Sequence, residues 1–133
     1  MDKVTLDCDI ALAGGGLSAG LIALALAQRH PQLCVYLVEQ GEKLGGNHVW
    51  SFFDSDIASE DRWIIEPLIC HRWQGYDVHF PARSRTLGAI YNSIESDRLD
   101  AVIRKAMPAN HIVQGEIIDI SPTHIALADG REV

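Results

Sequence analysis

Three consecutive glycines, residues 14–16, and an acid 25 positions after the first of them are the residues best suited to chemistry in this sequence. Gly14 suits a tight turn, and Gly16 leaves room for backbone N–H groups to approach a negatively charged ligand. Ala19 occupies the third position of the same G-x-G-x-x-G/A pattern, where a small residue lets a helix pack closely on a strand. Glu39 stands near the spacing of an acid that accepts the hydroxyls of an adenosine ribose. The pattern predicts a site for the pyrophosphate and ribose of a dinucleotide.

The residues around the glycines predict the elements that hold such a site. Residues 10–13 form an apolar strand before the glycines, residues 21–26 belong to a small-residue helix after them, and residues 33–38 form a second strand. A helix that begins at the glycines directs partial positive charge toward an anion. The negative charge of Glu39 disfavours a 2′-phosphate, so the pattern favours FAD or NAD over NADP. A βαβ unit of another α/β fold, with the glycines as a plain loop, is the alternative that these residues leave open.

Length, composition and charge exclude several classes of protein. The chain has 133 residues and 47% hydrophobic content, which suits one globular domain with a core. Its formal net charge of −7 argues against nucleic acid as a partner, and Arg83 and Arg85 are too few to form a basic surface. The longest apolar stretch, residues 21–27, is far shorter than the roughly 20 residues of a membrane-spanning helix.

The N-terminal residues and the cysteines bear on the compartment and on metal binding. Asp2, Lys3 and Asp7 lead directly into the first strand without the charged and then apolar pattern of a secretion signal, so we expect a cytoplasmic protein. The cysteines show no C-x-x-C spacing and the histidines no paired ligand spacing, so we expect buried free thiols and no metal site. The cysteines are Cys8, Cys34 and Cys70.

Two further glycines follow the acid closely and extend the predicted site. Gly45 and Gly46 allow positive φ or close backbone approach, so a second loop at this position could reach the same cofactor, although a surface turn would use the same residues. Directly after this loop, residues 48–53 are rich in aromatic side chains. Trp50 and Phe52 are core residues by default, and as an alternative they line an apolar cavity near the cofactor.

The remainder of the chain is predicted to alternate short helices and strands. Residues 59–73 suit a short amphipathic helix interrupted at Pro67, Arg83 and Arg85 suit a connecting turn, and Ser96 suits an N-cap. The other predicted elements are a strand at residues 76–80, a strand around residues 87–91, a helix ending at Pro108, residues 112–113 and 117–120 as one strand or a bulged pair, a strand at residues 125–127, and a hairpin turn at Asp129 and Gly130. Because the return strand of that hairpin has barely begun at residue 131, we expect an N-terminal piece of a longer protein.

Several stretches together resemble the start of a known flavoprotein family. The motif GGGLSAGL at residues 14–21, Glu39, and the stretch GGNHVWSF at residues 45–52 are similar to the FAD-binding start of bacterial lycopene β-cyclases. The second stretch is the specific one, since a glycine loop followed by an acid is shared by many flavoproteins. The RW and PL pairs within residues 62–68, and YDVHFP at residues 76–81, are also similar to the cyclase pattern, so the resemblance spans essentially the whole chain.

The resemblance implies a fold and an activity. The fold is a Rossmann-like FAD-binding domain of the glutathione-reductase-like flavoprotein type, α/β in class and incomplete at the C-terminus. We expect residues 1–133 to be the N-terminal part of that FAD/NAD(P)-binding domain, with its remainder and the substrate domain outside the sequence. The implied activity is cyclisation of lycopene end groups to β-rings without net redox change, assisted by reduced FAD with NAD(P)H as reductant. Peripheral membrane contact is expected because lycopene is insoluble in water, and no protein partner is inferred.

The resemblance also implies roles for individual residues. The matches are Gly14 and Gly16 for the pyrophosphate, Glu39 for the ribose, Gly45 and Gly46 for a second cofactor loop, Arg98 for an arginine at a helix start near the flavin phosphates, and Ile117 for a strand backbone that meets adenine. The proton donor of the family is expected in a later segment, so no catalytic residue is assigned. The alternatives are an FAD-dependent oxidoreductase or monooxygenase of the same fold, and a catalytically inert, truncated FAD-binding fragment.

Overall fold

The computed structural model describes residues 4–133, and the prediction drawn from Asp2 and Lys3 lies outside the described residues. The strands are β1 (Ile10–Ala13), β2 (Val35–Glu39), β3 (Val49–Phe53), β4 (His71–Trp73), β5 (Tyr76–Phe80), β6 (Arg83–Leu87), β7 (Tyr91–Glu95), β8 (Ile112–Gln114), β9 (Ile117–Ile120) and β10 (Ile125–Leu127). The α-helices are α1 (Leu17–Arg29), α2 (Arg62–Ile65) and α3 (Ser96–Ala106), and the 3-10 turns are Asp54–Asp56, Ser59–Asp61, Glu66–Leu68 and Ala109–His111.

A parallel sheet in the order β1-β2-β8 forms the centre of the fold. Its central strand β2 is buried from Val35 to Val38 and covered on both faces, as parallel strands usually are. Leu37 packs in one core cluster with α1 and α3, whereas Val38 packs in a second cluster with β10. The predicted βαβ unit is therefore confirmed as β1, α1 and β2. The parallel sheet lies between a helical layer, formed by α1 and α3, and a layer formed by the β9–β10 hairpin.

A second, antiparallel sheet in the order β3-β7-β4 lies beside the helices. Trp50 pairs with the buried Ile94, and Trp50 and Phe52 pack against the core cluster of the helical layer. Both aromatics are half-buried at the edge of the core, so the default prediction that they are core residues is met in part. The opposite face of this sheet carries Phe53 and Tyr91, because successive side chains of a strand alternate between the two faces.

The structure corrects the prediction for the region around Arg83 and Arg85. These arginines lie within strand β6 and not in a connecting turn, because β5 and β6 form a hairpin in which Phe80 pairs with Arg83. The strand expected around residues 87–91 is instead divided between the end of β6 and the start of β7. The side chains of β6 are exposed from Arg83 to Thr86, so the strand has no alternating apolar pattern to reveal it.

Smaller corrections concern the ends of the other elements. Glu95 occupies the N-cap position of helix α3 and makes no capping hydrogen bond through its side chain, and Ser96, the predicted N-cap, is the first residue of the helix. Residues 59–73 form two 3-10 turns around α2, with Pro67 in the second turn, and then enter strand β4. The stretch from residue 112 to residue 120 forms two strands in different sheets, β8 and β9.

The predicted hairpin turn and the cysteines also have outcomes in the structure. Gly130 has a φ of +88°, and the N–H of Ile125 donates to the carbonyl of Val133, so the hairpin turn is confirmed. The three cysteines are free thiols, as predicted, but they are half-buried and not buried. Partial burial nevertheless raises the pKa of the Cys8 thiol above its ordinary value.

Helices α1 and α3 approach each other closely at Gly20. A Cβ atom at this position would lie 2.7 Å from Cδ1 of Ile103 and 3.1 Å from Cδ1 of Leu99. Both of these side chains are fully buried. The absence of a side chain at Gly20 therefore sets the spacing of the two helices that cover the parallel sheet.

We expect Gly20→Ala to destabilise the fold by about 1–3 kcal/mol, because the added methyl group overpacks the contact with Ile103. Ile103→Val alone should cost about 0.5–1.5 kcal/mol. The double variant should be at least about 0.5 kcal/mol more stable than the sum of the single effects predicts, because the valine lacks the Cδ1 atom that clashes. Urea unfolding of the four proteins measures this coupling, and strict additivity would contradict the contact.

A polar network joins the start of α2 to the antiparallel sheet. Asp54 accepts two hydrogen bonds from the Arg62 guanidinium, at 2.8 and 2.9 Å, and one from the Asn92 amide at 3.0 Å. Asn92 is fully buried, and its amide oxygen accepts a hydrogen bond from Arg72 at 2.9 Å. The hydrogen bonds from Arg62 lower the pKa of Asp54 most, and the hydrogen bond from Asn92 lowers it further. The ionised carboxylate is thus a stabilising partner in the folded state.

This lowered pKa predicts a pH-dependent contribution to stability. The contribution is complete above the ordinary aspartate pKa of about 3.9 and is lost as the pH falls through the lower pKa of the folded state. We expect Asp54→Asn to be less stable than the natural protein at neutral pH, with the difference shrinking below about pH 4. Asp61→Asn, at an exposed position nearby, is the control. Urea unfolding across pH 3 to 7 measures both variants, and a constant difference for Asp54→Asn would contradict the network.

Candidate functional site

The glycine loop between β1 and α1 lies at the carboxyl end of the parallel sheet. Gly14 has a φ of +89°, which side chains disfavour, and its N–H donates to the carbonyl of Val38 at 2.8 Å. Gly16 is the N-cap of α1, and its carbonyl accepts the first helical bond, from the Gly20 N–H at 2.9 Å. The N–H groups of the first helical turn have no partner within the helix and are available to a ligand. The loop thus has the form of an anion-binding helix terminus.

The carboxylate of Glu39 is bonded to backbone groups of two loops. Its Oε2 accepts the N–H of Gly15 at 2.7 Å, and its Oε1 accepts the N–H of Gly41 at 2.8 Å. These bonds hold the end of β2 against the glycine loop. Each carboxylate oxygen can accept more than one hydrogen bond, so Glu39 retains acceptor capacity for hydroxyl groups of a ligand.

The second glycine loop lies directly beside the first. The N–H of Gly45 donates to the carbonyl of Gly15 at 2.7 Å. Gly45 and Gly46 have φ values of +81° and +60°, so both occupy the left-handed region that favours glycine. The structure therefore brings together Gly14, Gly16, Glu39, Gly45 and Gly46, all of which were predicted from the sequence to form one site.

Residues of helix α3 hold the second glycine loop in place through hydrogen bonds. Asp100 accepts the N–H of Leu44 at 2.7 Å, and Arg104 donates to the carbonyl of Glu42 at 2.8 Å. The N–H of Ser96 donates to the carbonyl of His48 at 3.1 Å. Neither Asp100 nor Arg104 was predicted from the sequence to support the site. Their spacing of four residues, which suits an ion pair along a helix, was the available signal.

The neighbouring glycines Gly15 and Gly16 meet different surroundings. A Cβ atom at Gly15 would lie 2.7 Å from Cδ2 of Leu44 and 3.0 Å from Cβ of Glu39, so the fold itself requires glycine there. A Cβ atom at Gly16 would meet nothing within 4 Å, and α1 has no acidic residue in its first turn. The open space at Gly16, together with the first-turn N–H groups of α1 that have no partner within the helix, fits a pyrophosphate.

Cavities near and away from the loops differ in their chemistry. A cavity of about 140 Å³ lies beside Glu39 and is lined by Arg104 and Gln114 among others, which suits polar parts of a nucleotide. A larger cavity of about 420 Å³ lies along β1 on the side of Cys8 and the β9–β10 hairpin. It includes none of the glycines of the two loops, so the hydrogen-bond geometry and not cavity size locates the candidate site.

The remaining predicted residues lie around this site without direct bonds to it. Ala19 is half-buried in α1 and packs against the core of the helical layer, whereas the close helix contact is made by its neighbour Gly20. Arg98 is exposed in the first turn of α3. Ile117 is half-buried at the start of β9, close in sequence to Gly115, whose N–H donates to the carbonyl of Glu39 at 3.0 Å. Their roles toward a cofactor stay predictions.

Metal ligands and membrane spans are two further features that bear on function. Among residues 4–133, no group of three or more His, Cys, Asp or Glu side chains is placed to hold a metal ion. Within the same range, no helix combines the length and the apolar character needed to cross a lipid bilayer.

Comparison with known sequences gives consistent matches. The family model described as "Lycopene cyclase protein" matches residues 9–133. The chain is 41% identical over 123 residues to the lycopene beta-cyclase of Pseudescherichia vulneris, covering 92% of this chain and 32% of the relative. It is 35% identical over 126 residues to that of Pantoea ananas, covering 94% of this chain and 33% of the relative. The chain thus spans about a third of the length of these curated relatives.

Comparison with solved structures identifies the fold. The tetrameric form of 2-methyl-3-hydroxypyridine-5-carboxylic acid oxygenase matches 100% of this chain and 38% of its own, with a TM-score of 0.67 at 17% identity. 2,6-dihydroxypyridine-3-hydroxylase from Arthrobacter nicotinovorans matches 99% of this chain and 35% of its own, with a TM-score of 0.61 at 14% identity. At these identities the likeness establishes the fold alone, and that fold is the predicted Rossmann-like flavoprotein fold.

Proposed function

This chain belongs to the lycopene cyclase family, and on that premise we propose that the protein is a lycopene β-cyclase that uses FAD. The observation that carries the proposal is the family match over residues 9–133, which coincides with a glycine loop, an acid and a second glycine loop joined by hydrogen bonds. An oxygenase activity, the alternative suggested by the fold, has no support beyond a likeness that establishes fold alone. The chain would be the N-terminal part of the FAD-binding domain, with the substrate domain following it in the longer protein.

The residues of the two loops would hold FAD by complementary means. The N–H groups at the start of α1, beside Gly16, would bind the pyrophosphate, and Glu39 would accept the ribose hydroxyls. Gly45 and Gly46 would present a second stretch of backbone to the cofactor. Arg98, at the start of α3, would add a positive charge near the phosphates, and Ile117 would offer backbone groups to adenine.

The reaction we propose conserves the formula of the substrate. A terminal double bond of lycopene takes up one proton, the neighbouring double bond closes a six-membered ring, and one proton leaves to give the β-ring. When bound, reduced FAD would supply negative charge that stabilises the positive charge developing on the hydrocarbon. The part of the site in this chain would position that charge, because the first glycine loop is bonded to the end of β2 and the second glycine loop to α3.

Several features of the whole protein follow from this proposal. NAD(P)H would serve as the reductant of FAD. A cytoplasmic protein that contacts the membrane at its periphery would have access to lycopene, which is insoluble in water. The proton donor would lie outside this chain, so no residue described above is assigned to it.

The neighbouring glycines give a matched test of FAD binding. In the full-length protein, Gly16→Val should abolish copurification of flavin, because the branched side chain fills the space for the pyrophosphate. The apo form should lose no more than about 1 kcal/mol of stability, because a Cβ atom at Gly16 would meet nothing within 4 Å and the main cost is a poorer N-cap residue. Gly15→Ala should instead lower stability by about 1–3 kcal/mol through contact with Leu44 and Glu39. Flavin absorbance and thermal unfolding measure both effects, and normal flavin content in Gly16→Val would reject the site.

The activity itself is tested by supplying FAD in its two redox states. Full-length protein is incubated anaerobically with lycopene in lipid vesicles, with either oxidised FAD or chemically reduced FAD and without nicotinamide. We expect many turnovers to β-carotene with reduced FAD and almost none with oxidised FAD, because lycopene and β-carotene are isomers and consume no electrons. Equal turnover with oxidised FAD, or turnover that ends after one equivalent of reduced FAD is oxidised, would defeat the proposal.

A further inference from the structure

A row of aromatic rings crosses the face of the β3-β7-β4 sheet that is turned away from the helices. The strand register places Phe53 beside Tyr91 and Tyr91 beside Trp73. The ring centroids are 5.2 Å apart for Phe53 and Tyr91 and 5.9 Å apart for Trp73 and Tyr91. Tyr76 of β5 and His71 of β4 extend the row, each with its ring centroid 5.8 Å from the next ring. Five rings from four strands thus form one continuous strip.

The strip contains a concave site at one end. Phe53, Tyr76 and Tyr91 line a cavity of about 300 Å³, and all three side chains are half-buried. This volume lies at the lower end of the range for small-molecule pockets, roughly 300–1,000 Å³. A cavity walled by three rings suits the compact end of an apolar molecule.

The dimensions of the strip favour a chain-like ligand over a protein partner. A stable protein interface takes about 20–30 residues from each partner, whereas this aromatic strip is five side chains long and one residue wide. The row beside Phe53, Tyr91 and Trp73 is polar: Ser51 pairs with Ser93, and Ser93 pairs with His71, the ring at which the strip ends. The faces of aromatic rings carry partial negative charge and attract cations, which gives the cavity charge complementarity to a positively charged hydrocarbon.

Strand β3 connects this cavity to the proposed cofactor site. The strand begins three residues after Gly46 and ends at Phe53, so its five residues span about 16 Å at the usual rise per residue. The second glycine loop and the aromatic cavity therefore stand at opposite ends of one strand. A ligand in the cavity would lie on the same sheet that leads directly to the cofactor loop.

We propose that Phe53, Tyr76 and Tyr91 bind an end group of the polyene substrate, with Trp73 and His71 continuing the contact along the chain of double bonds. This inference rests on the proposed cyclase function and adds to it the place where the substrate lies. The rings pack against the hydrocarbon, and their faces stabilise the positive charge that forms when the end group takes up a proton and that disappears when the closed ring loses one.

Substitutions at Tyr91, the centre of the strip, test the site in full-length, FAD-bound protein. Tyr91→Leu should weaken binding of lycopene from detergent micelles about tenfold and lower turnover, because the ring contacts are lost. Tyr91→Phe keeps the ring and should retain affinity within about twofold. Phe80→Leu is the matched control, because Phe80 is a 67% exposed aromatic residue outside the strip, and it should bind as the natural protein does. Quenching of tryptophan fluorescence by lycopene gives the affinity, and flavin content and thermal unfolding check the fold.

The outcomes separate this inference from the proposed function. If the natural protein forms β-carotene and Tyr91→Leu binds and converts lycopene equally well, the aromatic site is overturned and the cyclase function stands. The aromatic site is likewise overturned if Tyr91→Leu lowers the unfolding temperature without changing affinity, since another part of the protein then covers the strip. If the natural protein neither binds nor cyclises lycopene, both the function and the site fail.

Discussion

The carboxylate of Glu39 joins the end of the central strand to the glycine loop 24 residues before it and to the turn directly after it. It accepts N–H groups from Gly15 in the first loop and from Gly41 after β2, and it ends the central strand of the parallel sheet. An ionised carboxylate that accepts backbone N–H groups makes stronger hydrogen bonds than a neutral acceptor does. The same residue is the proposed ribose ligand, so the loop that binds phosphate and the acid that binds sugar are fixed to one another before any cofactor arrives. Preorganisation of this kind reduces the free-energy cost of ordering the protein on binding.

The elements whose residues show a clear local pattern in the sequence were predictable. The glycines of residues 14–16 coincide with a change from strand to helix periodicity, and the structure places β1, α1 and β2 accordingly. Strand β6 was not predictable, because its residues from Arg83 to Thr86 are all exposed and lack the alternation that a half-buried strand shows. The role of Asp100 was equally hidden, since its bond to the N–H of Leu44 depends on how α3 packs and not on residues nearby in sequence.

The glycines of the site illustrate how one residue type serves different physical needs. Gly14 and Gly45 are required by positive φ, Gly15 by a close approach to Leu44, and Gly16 by neither. In the sequence alone, Gly14, Gly15 and Gly16 look like one motif. Only the surroundings of each α-carbon distinguish a glycine that serves the fold from a glycine that leaves room for a ligand, and that distinction supports the assignment of the pyrophosphate position.

The bond between Leu44 and Asp100 closes a loop of 56 residues, and this has a consequence for the order in which the site is built. Contacts that span many residues cost loop-closure entropy before they contribute any stabilisation, so they form late in folding. During synthesis, the nascent chain already contains the first glycine loop and Glu39 once β1, α1 and β2 have emerged from the ribosome. Its second loop gains its anchor only after α3 emerges. Until then the growing polypeptide would carry half of a nucleotide site, with the hydrophobic side of α1 lacking its partner helix and open to chaperones.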